Sequence, residues 1–396
     1  MMKVYTGLDV LVKDKSLQNK FKGNVALLCH NASIDTTFTH AALKFKDIFG
    51  SRFIKMFGPQ HGFSTDVQDN MVETNHYIHP HFNIPVYSLY SETRIPTDKM
   101  LENIDHFFVD LQDVGCRVYT YIYTLTLLLE KCIGKDIQVI VLDRPNPING
   151  INIEGNILKP EFESFVGLHP IPVRHGMTIG EVALMHQKFW VKEEVNLEVI
   201  KMQYWKRDMF FEDTKLPWLL PSPNLARTES TYTFPATVLF EGTLLSEGRG
   251  TTQSLEIVGH PKIEPFAFYE NHLLDCIKKS KLVGFELRPI TFLPTFQKHG
   301  GTVCGGFQIH ITDKKAFKPW RIGQFLMREL YHYLGDDFQW KRPPYEYNYT
   351  QKPIDLINGT DKLRHWVENN ESIEMLDIFE ELESYKHELN EIKLYL

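Results

Sequence analysis

Five cysteines in 396 residues, at positions 29, 116, 132, 276 and 304, are too few and too irregularly spaced for a disulfide framework, and none belongs to a Cys-x-x-Cys pair. The chain therefore reads as a cytoplasmic protein with reduced thiols and no structural zinc. It also lacks an excess of positive charge: 43 Lys and Arg face 50 Asp and Glu, a net charge of −7, so the balance builds no phosphate-tracking surface and nucleic acid is not expected as a partner. No apolar run reaches the about 18 residues of a membrane helix, and the opening Met-Met-Lys-Val-Tyr-Thr-Gly-Leu-Asp-Val-Leu has neither the apolar stretch nor the cleavage site of a secretion signal. A soluble, non-secreted protein without membrane contact is the expectation. Gly-x-Ser-x-Gly and His-Glu-x-x-His are absent too, which removes the commonest serine hydrolases and zinc proteases.

What is present suits a globular enzyme. With 43% hydrophobic and 23% charged residues the chain can bury a core, and its length favours two domains. The first 150 residues alternate short apolar runs with helix-compatible stretches. The runs are 24–30, 52–57, 84–89, 106–111 and 137–142, and 119–132 reads as a helix that is apolar nearly all round. Strands alternating with helices imply an α/β fold with a doubly wound parallel sheet, and such sheets bind ligands outside the carboxyl ends of their strands. That rule selects Asn31, Gln60, His61, Asp110, Gln112, Asp113, Asp143, Arg144 and Asn146. Beyond Gly150 the texture turns Pro- and Gly-rich, which places a boundary near residue 160. A second α/β or α+β region would then span 161–396. It carries a helix over 178–190, with Thr178 and Glu181 as a capping box, a strand over 306–311, a helix over 320–334, and an amphipathic helix over 373–389 using Ile378, Phe379, Leu382, Tyr385 and Leu389.

Each candidate motif has a structural reading beside the chemical one. Asp110 and Asp113 sit three apart where a strand stops; they either divide into an acid and a base or cap a helix and orient Arg117. In Asp143-Arg144-Pro145-Asn146-Pro147 the prolines stiffen the loop, which either holds a ligand or braces itself with an Asp–Arg pair. Glu247-Gly248-Arg249-Gly250-Thr251-Thr252 lacks the Lys-Ser or Lys-Thr of a phosphate loop, but glycines flanking Arg249 suit a carboxylate. His76, His79 and His81 have a metal-like spacing that Pro80 and the lack of a nearby acidic ligand argue against, so no metal is expected.

These strings, in this order, resemble the exo-β-N-acetylmuramidases of the NamZ type. The resemblance runs nearly end to end, through Gly7-Leu8-Asp9-Val10-Leu11, Gln60-His61-Gly62-Phe63, Pro85-Val86-Tyr87-Ser88-Leu89-Tyr90, Asp110 to Gly115, Tyr119-Thr120-Tyr121 and Asp143 to Pro147. It continues through Arg174 to Glu181, Pro221-Ser222-Pro223-Asn224, Glu241-Gly242-Thr243 and Glu247 to Thr252. It implies a Rossmann-like domain, a smaller second domain and a cleft between them. The implied activity is release of N-acetylmuramic acid from the non-reducing end of peptidoglycan fragments, with no cofactor and a sugar or muropeptide as the partner. Under it, Asp110, Asp113 and Glu241 are the candidate acid and base. Asn31, Gln60, His61, Gln112, Tyr121, Asp143, Arg144 and Asn146 would position the sugar, and Asn224, Thr243, Glu247 and Arg249 would face them; Arg249 or Arg144 would take the lactyl carboxylate. The chain departs from the family at Gln60, where members typically carry Glu, and at Asp69-Asn70-Met71, where they carry Ala-Gly-Glu. An amide cannot give up a proton, so the same scaffold could instead serve as a non-catalytic muropeptide-binding protein.

Overall fold

Strands covered on both faces of a parallel sheet need apolar residues at successive positions, and the middle of this sheet has them. The computed structural model describes residues 2–68, 71–373 and 382–396. Its larger sheet comprises β1 (Val25–Cys29), β2 (Phe53–Gly58), β3 (Tyr77–Ile78), β4 (Pro85–Ser88), β5 (His106–Asp110), β6 (Gln138–Leu142) and β7 (Leu197–Ile200). The spatial order is β3-β4-β2-β1-β5-β6-β7, parallel throughout except for β3, which runs antiparallel to β4 at the edge. Leaving β3 aside, this is the doubly wound order of dinucleotide-binding folds, reversing direction between β1 and β5. The register sets Leu28 beside Phe57 and Cys29 beside Asp110, so the strands stop at one edge and their following loops share it.

The five runs read from the sequence are strands β1, β2, β4, β5 and β6, and the apolar helix behind them is Tyr121–Cys132. One strand lies beyond the boundary expected at residue 160: β7 pairs with β6 in the same sheet. The reason is the helix Ile179–Met185, capped by Thr178 and Glu181 as its sequence suggests, which carries the chain across from β6 to β7. The Pro- and Gly-rich stretch before it is a long connection that is buried throughout its last part, residues 171–178.

The second unit is built on β8 (Ile257–His260), β9 (Phe285–Phe292) and β10 (Cys304–Ile311), an antiparallel sheet in the order β8-β10-β9. Strand β9 alternates buried and exposed residues and carries Pro289, which an edge strand tolerates because one row of its N–H groups pairs with nothing. The helices Thr228–Thr237 and Pro319–Leu334 cross at Gly323, where a Cβ would come within 2.4 Å of the Ala236 carbonyl oxygen. The amphipathic helix expected over 373–389 falls partly outside the described residues, Ile378 and Phe379 included. Its continuation, Glu383–Ile392, buries Tyr385, Leu389 and Ile392 and packs against Ile179–Met185. A continuous apolar core runs from Leu28, Phe107 and Tyr121 through Phe234 and Trp320 to Ile354 and Trp366, so the two units share one interior.

Arg117 crosses that interior. Wholly buried, it donates from Nη1 to the carbonyls of Asn156 (2.7 Å) and Ile171 (2.9 Å) and from Nη2 to those of Ile357 (3.2 Å) and Asn358 (2.8 Å). Burial brings its pKa down to about 10, which leaves it charged at neutral pH. Arg117→Met keeps the apolar stem and withdraws the donors, and is expected to lower the unfolding free energy by about 3–5 kcal/mol, the usual cost of stripping a buried charged group from its partners. Urea unfolding checks this; a change within about 0.5 kcal/mol, as for an ordinary surface residue, would contradict it.

Candidate active site

A narrow cleft opens where the loops after β2 and β5 meet the second unit. Gln60, His61, Tyr119 and Thr120 line it from the sheet side, Ser222 and Leu225 from the connecting segment, and Glu241, Arg249, Tyr345 and Glu346 from the second unit. The turn after β2 holds His61 at φ 70° and Gly62 at φ 79°, a left-handed pair that tips both Gln60 and His61 towards the cleft. Gln60 accepts a hydrogen bond from the Thr120 hydroxyl at 2.6 Å, and its carbonyl accepts one from Tyr121 at 3.3 Å. Tyr119 and Tyr121 also donate to the Pro221 carbonyl, at 2.9 and 2.7 Å. His61 is buried and shares a hydrogen bond with the Val67 carbonyl through Nδ1 at 2.8 Å; burial pushes its pKa down to about 4, so the ring is neutral at pH 7.

From the opposite side Glu241 meets Arg249 through Oε1 and accepts the Tyr345 hydroxyl on Oε2 at 2.8 Å. Burial alone would raise its pKa, but the guanidinium, the Tyr345 hydroxyl and the more distant Lys298 together hold it below the usual glutamate value. Arg249 also donates from Nε to Glu247 at 3.0 Å, and its Nη1 is buried with no partner among the described residues. Lys298 closes the back of the network, donating to Glu247 at 2.8 Å and to the carbonyls of Phe240 and Leu245.

Of the residues selected from the sequence, the cleft thus brings together Gln60, His61, Glu241 and Arg249, with Tyr121 and Glu247 bracing them. The others are placed elsewhere. Asp110 and Arg144 form a buried two-point ion pair, Nε to Oδ1 at 2.6 Å and Nη2 to Oδ2 at 2.9 Å. Asp113 accepts the Gly115 amide at 2.7 Å and lies 3.4 Å from His175. Asp143 accepts Gly180 N–H, Thr178 and Tyr395; burial raises its pKa to about 7 against those donors. Gln112 donates to the carbonyls of Asp113 and Pro145, and Asn146 to that of Met177. Gln112 and Arg144 line a separate small cavity with Phe211 and Trp218. Asn31 is exposed, Thr243 closes a turn on the Phe240 carbonyl, and Asn224 bridges Gln68 and Ser254 beside the cleft.

Of the histidines at 76, 79 and 81, the first two have a ring nitrogen occupied by the backbone, His76 Nδ1 accepting the Ser88 amide and His79 Nδ1 the His81 amide. A wider cavity elsewhere is lined by Arg174, Lys315, Lys318, Arg321, Lys386 and Lys393, with Glu154 the one carboxylate among the described residues of its lining. Sequence reasoning passed over Tyr345 and Glu346. The signal was available in Pro343-Pro344-Tyr345-Glu346, a carboxylate behind a proline-stiffened stretch like that of Asp143 to Pro147.

Comparison with known proteins follows the same division of the chain. Residues 25–229 match the amino-terminal model, and residues 232–395 the carboxy-terminal model, of the exo-β-N-acetylmuramidase NamZ. A curated relative, the peptidoglycan β-N-acetylmuramidase NamZ of Bacillus subtilis (strain 168), is 40% identical over 373 residues, covering 94% of this chain and 86% of its own. Two crystal structures of DUF1343 family proteins from Bacteroides fragilis NCTC 9343 superpose on the whole chain. One has a TM-score of 0.86 at 27% identity over 100% of its length, the other 0.75 at 25% over 99%.

Since Asp110 is locked to Arg144 away from the cleft, Asp110→Asn is expected to act on stability. It leaves a buried guanidinium half-paired, at about 3–5 kcal/mol, while kcat of the folded fraction stays within about threefold of wild type because the cleft residues are untouched. Unfolding and turnover measured on one preparation check this; a loss of kcat with normal stability would return Asp110 to the chemistry.

Proposed function

The chain belongs to the NamZ family of exo-β-N-acetylmuramidases, and from that premise we propose that it hydrolyses the glycosidic bond of N-acetylmuramic acid at the non-reducing end of peptidoglycan fragments. The observation that carries the assignment to this cleft is the Glu241–Arg249 arrangement: a buried, ionised carboxylate beside a guanidinium whose Nη1 has no partner among the described residues. N-Acetylmuramic acid differs from the other wall sugar by a lactyl carboxylate, and a buried arginine with a donor to spare is the group to recognise it. Tyr119 offers a ring for the apolar face of the sugar, and Gln60 and neutral His61 offer hydrogen bonds to its hydroxyl and acetamido groups.

Glycoside hydrolysis needs a carboxylic acid at the leaving oxygen and a second carboxylate, as base or nucleophile, for the anomeric carbon. Of the three candidates Asp110, Asp113 and Glu241, we assign the second role to Glu241, which lines the cleft and is held ionised. The five cysteines are free thiols, four of them buried, which supports a reducing, cytoplasmic setting in which the substrate is a fragment already taken up. No helix among the described residues is long and apolar enough to cross a membrane, and the net negative charge supports a partner list without nucleic acid.

The test is turnover of 4-nitrophenyl β-N-acetylmuramide. Wild type is expected to release nitrophenol, and the folded fraction of Glu241→Gln to lose about 10²–10⁴-fold in kcat, as for loss of a positioned carboxylate. Saturable binding without release would overturn the assignment in favour of a sugar-binding role.

A further inference from the structure

We propose that Glu346 is the general acid of the cleavage, protonating the leaving oxygen, with Tyr90 and Gln60 holding its carboxyl at the cleft. The inference rests on the muramidase reading above and supplies the partner that Glu241 requires. Among the described residues lining the cleft the carboxyls are Glu241 and Glu346. Glu241 spends its oxygens on Arg249 and Tyr345 and stays ionised. Gln60 is an amide with no proton to transfer, and His61 is neutral with one ring nitrogen held by a carbonyl. The proton donor is then Glu346.

The local geometry is built around this side chain. The turn Tyr345–Asn348 is closed by two backbone hydrogen bonds, Tyr345 N–H to Asn348 at 3.0 Å and the reverse at 2.9 Å. Inside it Glu346 and Tyr347 stand at φ 44° and 66°, two consecutive left-handed residues, neither of them glycine. Such strain, of order 1–3 kcal/mol each, persists where surrounding contacts impose it, and here they do. Tyr90 donates to Glu346 Oε2 at 3.0 Å, the Tyr347 hydroxyl reaches Glu73 at 3.1 Å, and the Arg94 guanidinium lies 3.3 Å over the Tyr347 ring. A loop of the second unit is thereby pinned across the cleft to the first, and Glu346 is left only 5% exposed.

The groups facing Glu346 are Tyr90 and Arg94 from the loop after β4, Gln60 from the turn after β2, and Glu241 and Tyr345 from its own unit. Burial above all raises its pKa to about 7, the negative Glu241 adding to it, against downward pulls from Tyr90, Arg94 and the Gln60 amide. A carboxyl protonated at neutral pH beside one that is ionised is the division of labour an acid and its partner need. In the step itself the Glu346 proton passes to the glycosidic oxygen as the bond from that oxygen to C1 breaks, and the aglycone leaves as a neutral alcohol. A water adds its oxygen to C1 and releases one proton, which restores the carboxyl pair.

The experiment compares wild type with Glu346→Gln on two substrates. One is 4-nitrophenyl β-N-acetylmuramide, whose leaving group needs little protonation; the other is the disaccharide of N-acetylmuramic acid β-1,4-linked to N-acetylglucosamine, whose leaving group needs it fully. The variant is expected to lose about 10²–10⁴-fold in kcat on the disaccharide and far less on the nitrophenyl sugar. Free N-acetylmuramic acid should still raise its melting temperature, which shows an intact site. Tyr90→Phe removes a donor to the ionised form, so the alkaline limb of the kcat/KM profile, near pH 7 in wild type, should move to higher pH. Equal losses on both substrates, no loss on the disaccharide, or an unmoved alkaline limb would overturn the assignment of Glu346. Wild type that cleaves neither substrate would overturn the muramidase reading itself.

Discussion

A single buried guanidinium sets the relation between the two units. Among the described residues no carboxylate pairs with Arg117; its charge is balanced by the dipoles of four carbonyls, two from the segment 156–171 and two from the end of the helix Pro353–Asn358. Three residues further on, Thr120 holds the Gln60 side chain, and just before Pro353 the chain has delivered Tyr345 and Glu346 to the opposite wall. The same clamp thus fixes both sides of the cleft. A carbonyl cage suits that task because it engages backbone, which cannot swing away as side chains do, and because all of its partners are buried.

The acidic residues divide by the same logic of environment. Asp110 and Asp143 stand at strand ends, where a doubly wound sheet usually presents its ligand, yet both are wholly buried and fully engaged in holding loops together. Glu241 comes from the short 3-10 helix Val238–Gly242 and Glu346 from a turn of the second unit, and both reach the space those loops leave open. Their surroundings differ in sign: Glu241 has a guanidinium in contact, whereas Glu346 has phenol and amide donors and a neighbouring negative charge. Two glutamates in one cleft are separated in protonation by what touches them.

How much of this was legible follows from the same physics. Strands β1, β2, β5 and β6 lie inside the sheet and read as apolar runs, broken in β2 by Lys55, so their positions were plain. The short edge strands β3 and β7 carry no such signature, and β9, half exposed with a proline in it, does not look like a strand until its partner is known. At the site, Gln60 and His61 were recoverable because a strand end followed by a glycine turn exposes what precedes it. The pairing of Asp110 was not legible because Arg144, its partner, is 34 residues away, on the loop after the next strand, and spacing along the chain carries no trace of it. Glu346 was hidden because its role depends on Tyr90 and Gln60, both more than 250 residues earlier.

The proposed complex seats the sugar between Gln60 and Glu346 with its carboxylate on Arg249. A crystal structure of the protein with N-acetylmuramic acid tests it most directly. The lactyl carboxylate is expected within hydrogen-bond distance of Arg249 Nη1 and the anomeric oxygen within reach of Glu346, with the Asp110–Arg144 pair undisturbed. A sugar seated instead against Asp110 and Arg144, or in the lysine-rich cavity around Lys318 and Lys393, would contradict it.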